Sequence, residues 1–162
     1  MNNKVLVAYA SRLGSTAEVA QAIAQTLIDA GEIVDLAAIQ SVKSIEGYQF
    51  VMVGSAIRYG RWLPDAIDFV TTYKTQLNHI PTAFFTVCMT LAEDTTANRL
   101  KAQAFLDPVR ALVTPLDEGW FAGKLDYDQL TFMQRVIGKI QKLPGGDFRQ
   151  WDRIQDWVRY IP

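Results

Sequence analysis

Val5-Leu6-Val7-Ala8-Tyr9-Ala10 is an unbroken apolar run, and Ser11-Arg12-Leu13-Gly14-Ser15-Thr16 follows it at once. The first six residues predict a buried strand. The next six predict a turn of small and hydroxyl-bearing residues. A helix over 16–27 then carries Val19, Ala20, Ile23, Ala24, Leu27 and Ile28 on one stripe, with Gly31 as its stop. Strand, turn and helix N-terminus in that order gather free backbone N–H groups and the positive end of a helix dipole at one point. Such a point holds a phosphate. Ser11, Ser15 and Thr16 can add hydroxyl donors there, and Gly14 lets the backbone come close to an anion.

Outward from this unit the chain alternates. A short β-branched strand is predicted over 33–36, then a connection over 41–48 with a helical turn. Phe50-Val51-Met52-Val53-Gly54 is apolar throughout, as a strand buried on both faces should be. A loop over 55–62 leads to a helix over 63–73, with Pro64 in its first turn and Ile67 and Val70 turned inward. A further strand is expected over 83–88 and a helix over 96–112 that Pro108 ends or kinks. A fifth, interrupted strand is expected over 113–121 and a helix over 127–143. Pro144-Gly145-Gly146 breaks the chain before a terminal helix over 150–160. Strands alternating with helices predict an α/β fold, a parallel sheet with helices on both faces. Its ligands belong at the carboxyl ends of the strands. The loops 11–16, 55–62 and the stretch from Cys88 all fall at that edge.

Length and composition narrow the function. The 162 residues, 49% of them hydrophobic, suit one well-buried domain spanning 1–162. Sixteen basic against 17 acidic residues argue against nucleic acid as a partner. One cysteine, Cys88, excludes an internal disulfide and a cysteine zinc site and fits a reducing, cytoplasmic compartment. Met1-Asn2-Asn3-Lys4 leads straight into the first strand without a signal peptide, and no apolar run reaches the ~18 residues of a membrane span. Four Trp, six Tyr and eight Phe suit a core and equally a pocket for a planar ligand.

Residues 10–16 are similar to the phosphate loop of the flavodoxins. The stretch Gly54-Ser55-Ala56-Ile57-Arg58-Tyr59-Gly60 is a closer match. With Ile80-Pro81-Thr82-Ala83-Phe84-Phe85-Thr86-Val87 and the late Phe132-Met133, Lys142 and Gly145-Gly146, it resembles the flavodoxin-like, quinone-dependent protoporphyrinogen oxidases over nearly the whole chain. The resemblance implies a three-layer, five-stranded parallel sheet in the order 2-1-3-4-5 and non-covalently bound FMN. It implies a flavoprotein oxidoreductase of haem biosynthesis that dehydrogenates a tetrapyrrole precursor and passes electrons to a quinone. It also implies that 127–146 is a family-specific insertion and that the protein touches the inner face of the membrane peripherally. The alternatives are a flavodoxin-type carrier that passes electrons to a redox protein, and a binding module that has kept the fold without the activity. A net charge of −1 speaks against a carrier, since carriers of this kind are strongly acidic.

Residue by residue, the expected cofactor site comprises Ser11, Arg12, Leu13, Gly14, Ser15 and Thr16 around the phosphate, Ser55, Ala56, Ile57, Arg58, Tyr59 and Gly60 beside the ring, and Val87, Cys88, Met89 and Thr90 at its pyrimidine edge. The plainer reading of 11–16 is a capped βα loop; three such loops at one edge favour a ligand. Tyr59 or Trp62 can stack on the ring, or pack helix on sheet. Arg58 can bind an anionic substrate group or a reduced, anionic flavin. Cys88 reads as a small buried hydrophobe. His79 lies in a turn away from the pocket edge, no metal cluster recruits it, and no acid–base or nucleophilic set is needed, because the chemistry belongs to the flavin. Leu130, Met133, Val136, Ile137 and Ile140 share a helical face. The favoured reading packs that face on the sheet; the other lets it touch membrane or cover a large apolar substrate.

Overall fold

The computed structural model describes residues 3–140 and 142–162. Met1, Asn2 and Gln141 lie outside the described residues, and with them the start of the lead into the first strand and one position of the predicted 127–143 helix. The first unit forms as its sequence demands: β1 (Lys4–Ala10), a turn, and α1 (Ser15–Asp29). β2 (Ile33–Ala38) returns along the edge. β3 (Phe50–Arg58) and β5 (Thr82–Cys88) fill the centre, and β6 (Asp117–Ala122) closes the far side. The parallel order is β2-β1-β3-β5-β6, with Val5 opposite Val34 on one side and Phe50 on the other. This is the expected doubly wound order, counted over the five principal strands.

Strand alternation sorts the core into two layers. Leu6, Ala8, Val51, Val53 and Phe84 face α2 (Pro64–Thr72), which buries Ala66, Phe69 and Val70 and leaves Ile67 half-buried. Val5, Val7, Met52, Phe85 and Val87 face α1 and α7 (Trp151–Tyr160), through Val19, Ala20, Ile23, Ile154 and Val158. Each large side chain fully buried this way contributes roughly 1.5–3 kcal/mol. A short α3 (Lys74–Leu77) follows α2.

Four expectations change in detail. The predicted loop 55–62 is instead the end of β3 and a hairpin. β3 runs on to Arg58, and β4 (Arg61–Trp62) pairs back antiparallel, Ile57 opposite Trp62. Tyr59 and Gly60 hold φ of 54° and 72°, the two positive values of a tight two-residue hairpin turn. The predicted 96–112 helix is two pieces, α4 (Thr96–Ala104) and α5 (Asp107–Arg110). The break comes a turn before Pro108 because the proline ring clashes with the carbonyl four residues back, that of Ala104. The predicted strand 113–121 forms only from Asp117, with Leu116 N–H already reaching Thr82 O at 2.7 Å.

The segment 127–143 departs most. Beyond a two-residue strand β7 (Lys124–Leu125), Tyr127–Gln129 form a single 3₁₀ turn, and the α-helix proper is α6 (Phe132–Ile140). Thr131 and Gln134 form a reciprocal cap: Gln134 N–H donates to Thr131 Oγ1 at 3.2 Å, and Thr131 N–H to Gln134 Oε1 at 3.0 Å. The helix is not packed on the sheet. Gly138 is its one buried residue, while Phe132, Met133 and Ile140 are 78%, 66% and 74% exposed. Tyr127 fills the space beside Gly138 with its ring, and its hydroxyl donates to Leu143 O. α6 stands over the carboxyl edge of the sheet instead of against its face. β8 (Gly146–Asp147) then pairs with β7.

Candidate functional site

The turn after β1 builds one end of a cavity. Ser11 Oγ accepts from Gly14 N–H at 3.1 Å, which closes the turn, and Gly14 stands at φ 88° as the residue before α1. No side chain caps α1. The N–H groups of its first turn therefore point into the turn as ready donors. Its one first-turn acid, Glu18, is engaged by the Arg149 guanidinium, so it leaves the positive helix end intact. Thr16 is buried but borders the cavity. Ser15 Oγ accepts from Lys124 N–H at 3.1 Å, which ties the turn to β7. A set of free N–H groups and hydroxyls around a helix N-terminus fits a phosphate.

The second wall is the β3–β4 hairpin, and the third is the exit from β5. Together with the first turn they enclose about 580 Å3, bordered by Ser11, Arg12, Leu13, Ser15 and Thr16, by Ala56, Ile57, Arg58, Tyr59 and Gly60, and by Val87, Cys88, Met89 and Thr90. Fourteen of the 16 expected residues thus share one cavity. The other two do not border it. Gly14 shapes the turn from behind. Ser55 is fully buried, and its hydroxyl accepts from Leu63 N–H at 3.0 Å while donating to Ala56 O at 2.8 Å. It is a brace for the hairpin. Trp62, one of two candidates to stack on a ring, lies in the core with its Nε1–H on Thr86 Oγ1 at 2.9 Å and its ring edge-on to Phe84. Pairing with Ile57 turns it inward. Tyr59 remains at the mouth, 65% exposed.

Electrostatics separate chemistry from packing. Burial pushes the Cys88 thiol up to about 11, against weaker help from the Leu91 and Thr90 backbone. A thiol so protonated is a poor nucleophile. His79 holds Thr75 O through Nδ1 at 2.7 Å and lies off the cavity. Among the described residues no three His, Cys, Asp or Glu gather as a metal would require.

The sequence reading missed part of the wall. Leu63 stands under the hairpin, Lys101 comes from α4 and Phe105 from its C-terminal cap, and Gly123, Lys124 and Leu125 follow β6. The last three obey the same carboxyl-edge rule as the other loops, so ending the fifth strand at Ala122 would have revealed them. Leu130, Gln134, Ile137, Gly138 and Leu143 complete the cavity from the 127–143 segment. A second hollow, between α4, β6 and α7, is lined by ions already paired, Asp94 with Arg99 at 2.5 Å and Asp147 with Arg149 at 2.7 Å. No helix among the described residues is long and apolar enough to cross a membrane.

Known proteins resemble this one along its length. A family model described as a flavodoxin domain matches residues 6–150. A protoporphyrinogen IX dehydrogenase (quinone) of Leishmania major is 30% identical, over 96% of this chain and 70% of that one. The protein of the same name from Escherichia coli K12 is 27% identical, over 98% of this chain and 94% of that one. Among solved structures, a flavodoxin of Streptococcus pneumonia TIGR4 superposes with a TM-score of 0.59 at 14% identity, over 98% and 97% of the two chains. Flavodoxin 2 of Bacillus cereus does so with a TM-score of 0.58 at 17% identity, over 96% and 95%.

Proposed function

The chain belongs to the flavodoxin domain family, and on that premise we propose that residues 1–162 form one FMN-binding domain that dehydrogenates a tetrapyrrole precursor and passes the electrons to a quinone. The observation that carries the reading is the single cavity where a phosphate-type turn, a hairpin with Tyr59 at its mouth and the β5 exit converge. The curated relatives, named as quinone-linked protoporphyrinogen IX dehydrogenases, supply the substrate class.

In this reading Ser11, Ser15, Thr16 and the first-turn N–H groups of α1 hold the FMN phosphate. Ala56 to Gly60 and Val87 to Thr90 flank the ring. When bound, FMN supplies a ring able to accept a hydride or single electrons. Leu125, Leu130, Ile137 and Leu143 exclude water from the cavity, and the protonated Cys88 offers no competing nucleophile. The segment 127–146 is the addition that covers the site. Its exposed Phe132, Met133 and Ile140, beside Lys139 and Lys142, also suit peripheral contact with an anionic membrane surface, where a quinone resides.

The test begins with FMN. The purified chain is mixed with FMN, freed of excess and examined by absorption; a retained flavin with a perturbed visible band supports the site. Turnover of protoporphyrinogen with a soluble quinone follows. Retained flavin with no rate above spontaneous oxidation would leave an electron carrier, and a folded chain that retains no flavin would leave a binding module.

A further inference from the structure

The cavity is bordered by four cations, Arg12, Arg58, Lys101 and Lys124, and by no carboxylate. Two of the four belong to the phosphate end. Arg12 Nη1 lies 3.4 Å from Asp65 Oδ2. Lys124 is held over the first turn by its own N–H on Ser15 Oγ. Arg58, Lys101 and the Lys124 ammonium have no carboxylate within ion-pair distance among the described residues.

Arg58 and Lys101 both border the cavity, Arg58 from the hairpin and Lys101 from the helix that meets it. Arg58 lies over the Tyr59 ring, 5.3 Å from its centroid. Lys101 lies in the last turn of α4 and Phe105 is the residue that caps its C-terminus, four positions on. Phe105 comes within 3.6 Å of where a Cβ on Gly60 would stand, so α4 meets the hairpin tip. The result is two aromatic rings and two cations without a carboxylate partner on the hairpin side of the cavity, away from its phosphate-type turn. A flat apolar body carrying two carboxylates matches that arrangement. The guanidinium fork can take one carboxylate through two hydrogen bonds, and the flexible lysine can follow the other.

We propose that Arg58 and Lys101 form a dicarboxylate subsite, which binds the two propionate side chains of the tetrapyrrole and so fixes which way round it enters. The proposal rests on the dehydrogenase reading above. It also explains why this mouth carries no acid, since a carboxylate there would neutralise the subsite.

The experiment uses the full, FMN-loaded chain and two probes of the same ring, protoporphyrin IX and its dimethyl ester, titrated by porphyrin fluorescence. Matched KM values are taken for the two porphyrinogens. The wild type should bind the free acid about tenfold tighter than the ester, a difference of ~1.4 kcal/mol that shrinks with added salt. Arg58→Gln and Lys101→Gln should each weaken acid binding about three- to tenfold. Ester binding should stay as in the wild type in both variants, and in Lys101→Gln, which lies outside the loops that flank the ring, so should the spectrum of the retained flavin; circular dichroism reports that both variants are folded. Equal affinity of the wild type for acid and ester would overturn the subsite while leaving the dehydrogenase reading intact. So would a preference that survives both substitutions. A wild type that binds neither porphyrin and turns over neither porphyrinogen would remove the dehydrogenase reading and the subsite with it.

Discussion

Gly54 shows how little room the centre of the sheet has. A Cβ built there would lie 2.0 Å from the Phe85 ring on the paired position of β5, and Phe85 is fully buried. Gly54→Ala should therefore destabilise by about 1–3 kcal/mol, the usual cost of overpacking a core. Urea unfolding checks this, and adding Phe85→Leu should recover part of the loss. Ser55, its neighbour, separates packing from binding. Ser55→Ala leaves the buried Leu63 N–H without its acceptor, at a cost of about 1–3 kcal/mol. Because Ser55 does not border the cavity, the melting temperature should drop while a bound flavin keeps its spectrum. Neither role was legible in the residue string. Gly54 reads as the end of a strand and Ser55 as the start of a loop, whereas pairing with β1 and β5 carries the strand through Ser55 and the Ile57–Trp62 pair makes the braced hairpin. Tertiary pairing overrode a local turn signal there.

At the scale of elements, short-range chemistry was the most readable. β1, α1 and β5 follow from apolar runs and spacing, and the α4–α5 break from Pro108. The Thr131–Gln134 cap, which the expected helix over 127–143 passed over, sets the start of α6. What periodicity could not say is which way the apolar side of α6 faces. Leu130, Met133, Val136, Ile137 and Ile140 share a helical spacing, but the segment stands over the carboxyl edge of the sheet with the Tyr127 ring packed beside Gly138. The β7–β8 hairpin is tied down by Arg149, which bridges Asp147 and Glu18 of α1 and lies over Trp151 at 4.6 Å. The hydrogen bond from Arg149 holds the Asp147 carboxyl down to about 2, below its ordinary ~3.9. A carboxylate depressed on folding stabilises fully above its unfolded value and loses that contribution as pH falls through the folded one. Stability should accordingly fall between about pH 4 and pH 2. Asp147→Asn should flatten that part of the curve, as read by thermal melts against pH. The effect is modest because Asp147 is partly exposed.

For the whole molecule, the converging loops were visible early from the alternation of strands and helices, while the order of the strands came from the resemblance to the flavodoxins, right-handed crossovers only narrowing the choice. The lid was less visible, since nothing local announces that a segment will close a pocket. If the first turn holds a phosphate, FMN should stabilise the fold more than riboflavin, which lacks that group. At a ligand concentration of 100 Kd the expected gain is about 2.7 kcal/mol. Scanning calorimetry of the chain alone, with FMN and with riboflavin checks the order; equal shifts would mean the turn contributes no phosphate contact. The last consequence concerns time rather than shape. α6 buries one residue of its nine. Elements with so little buried contact open locally at free energies far below that of global unfolding. Trypsin should then cut first after Arg135, Lys139 or Lys142 in the empty protein, and more slowly once the cavity is filled. The same segment that closes the cavity would set the residence time of whatever occupies it.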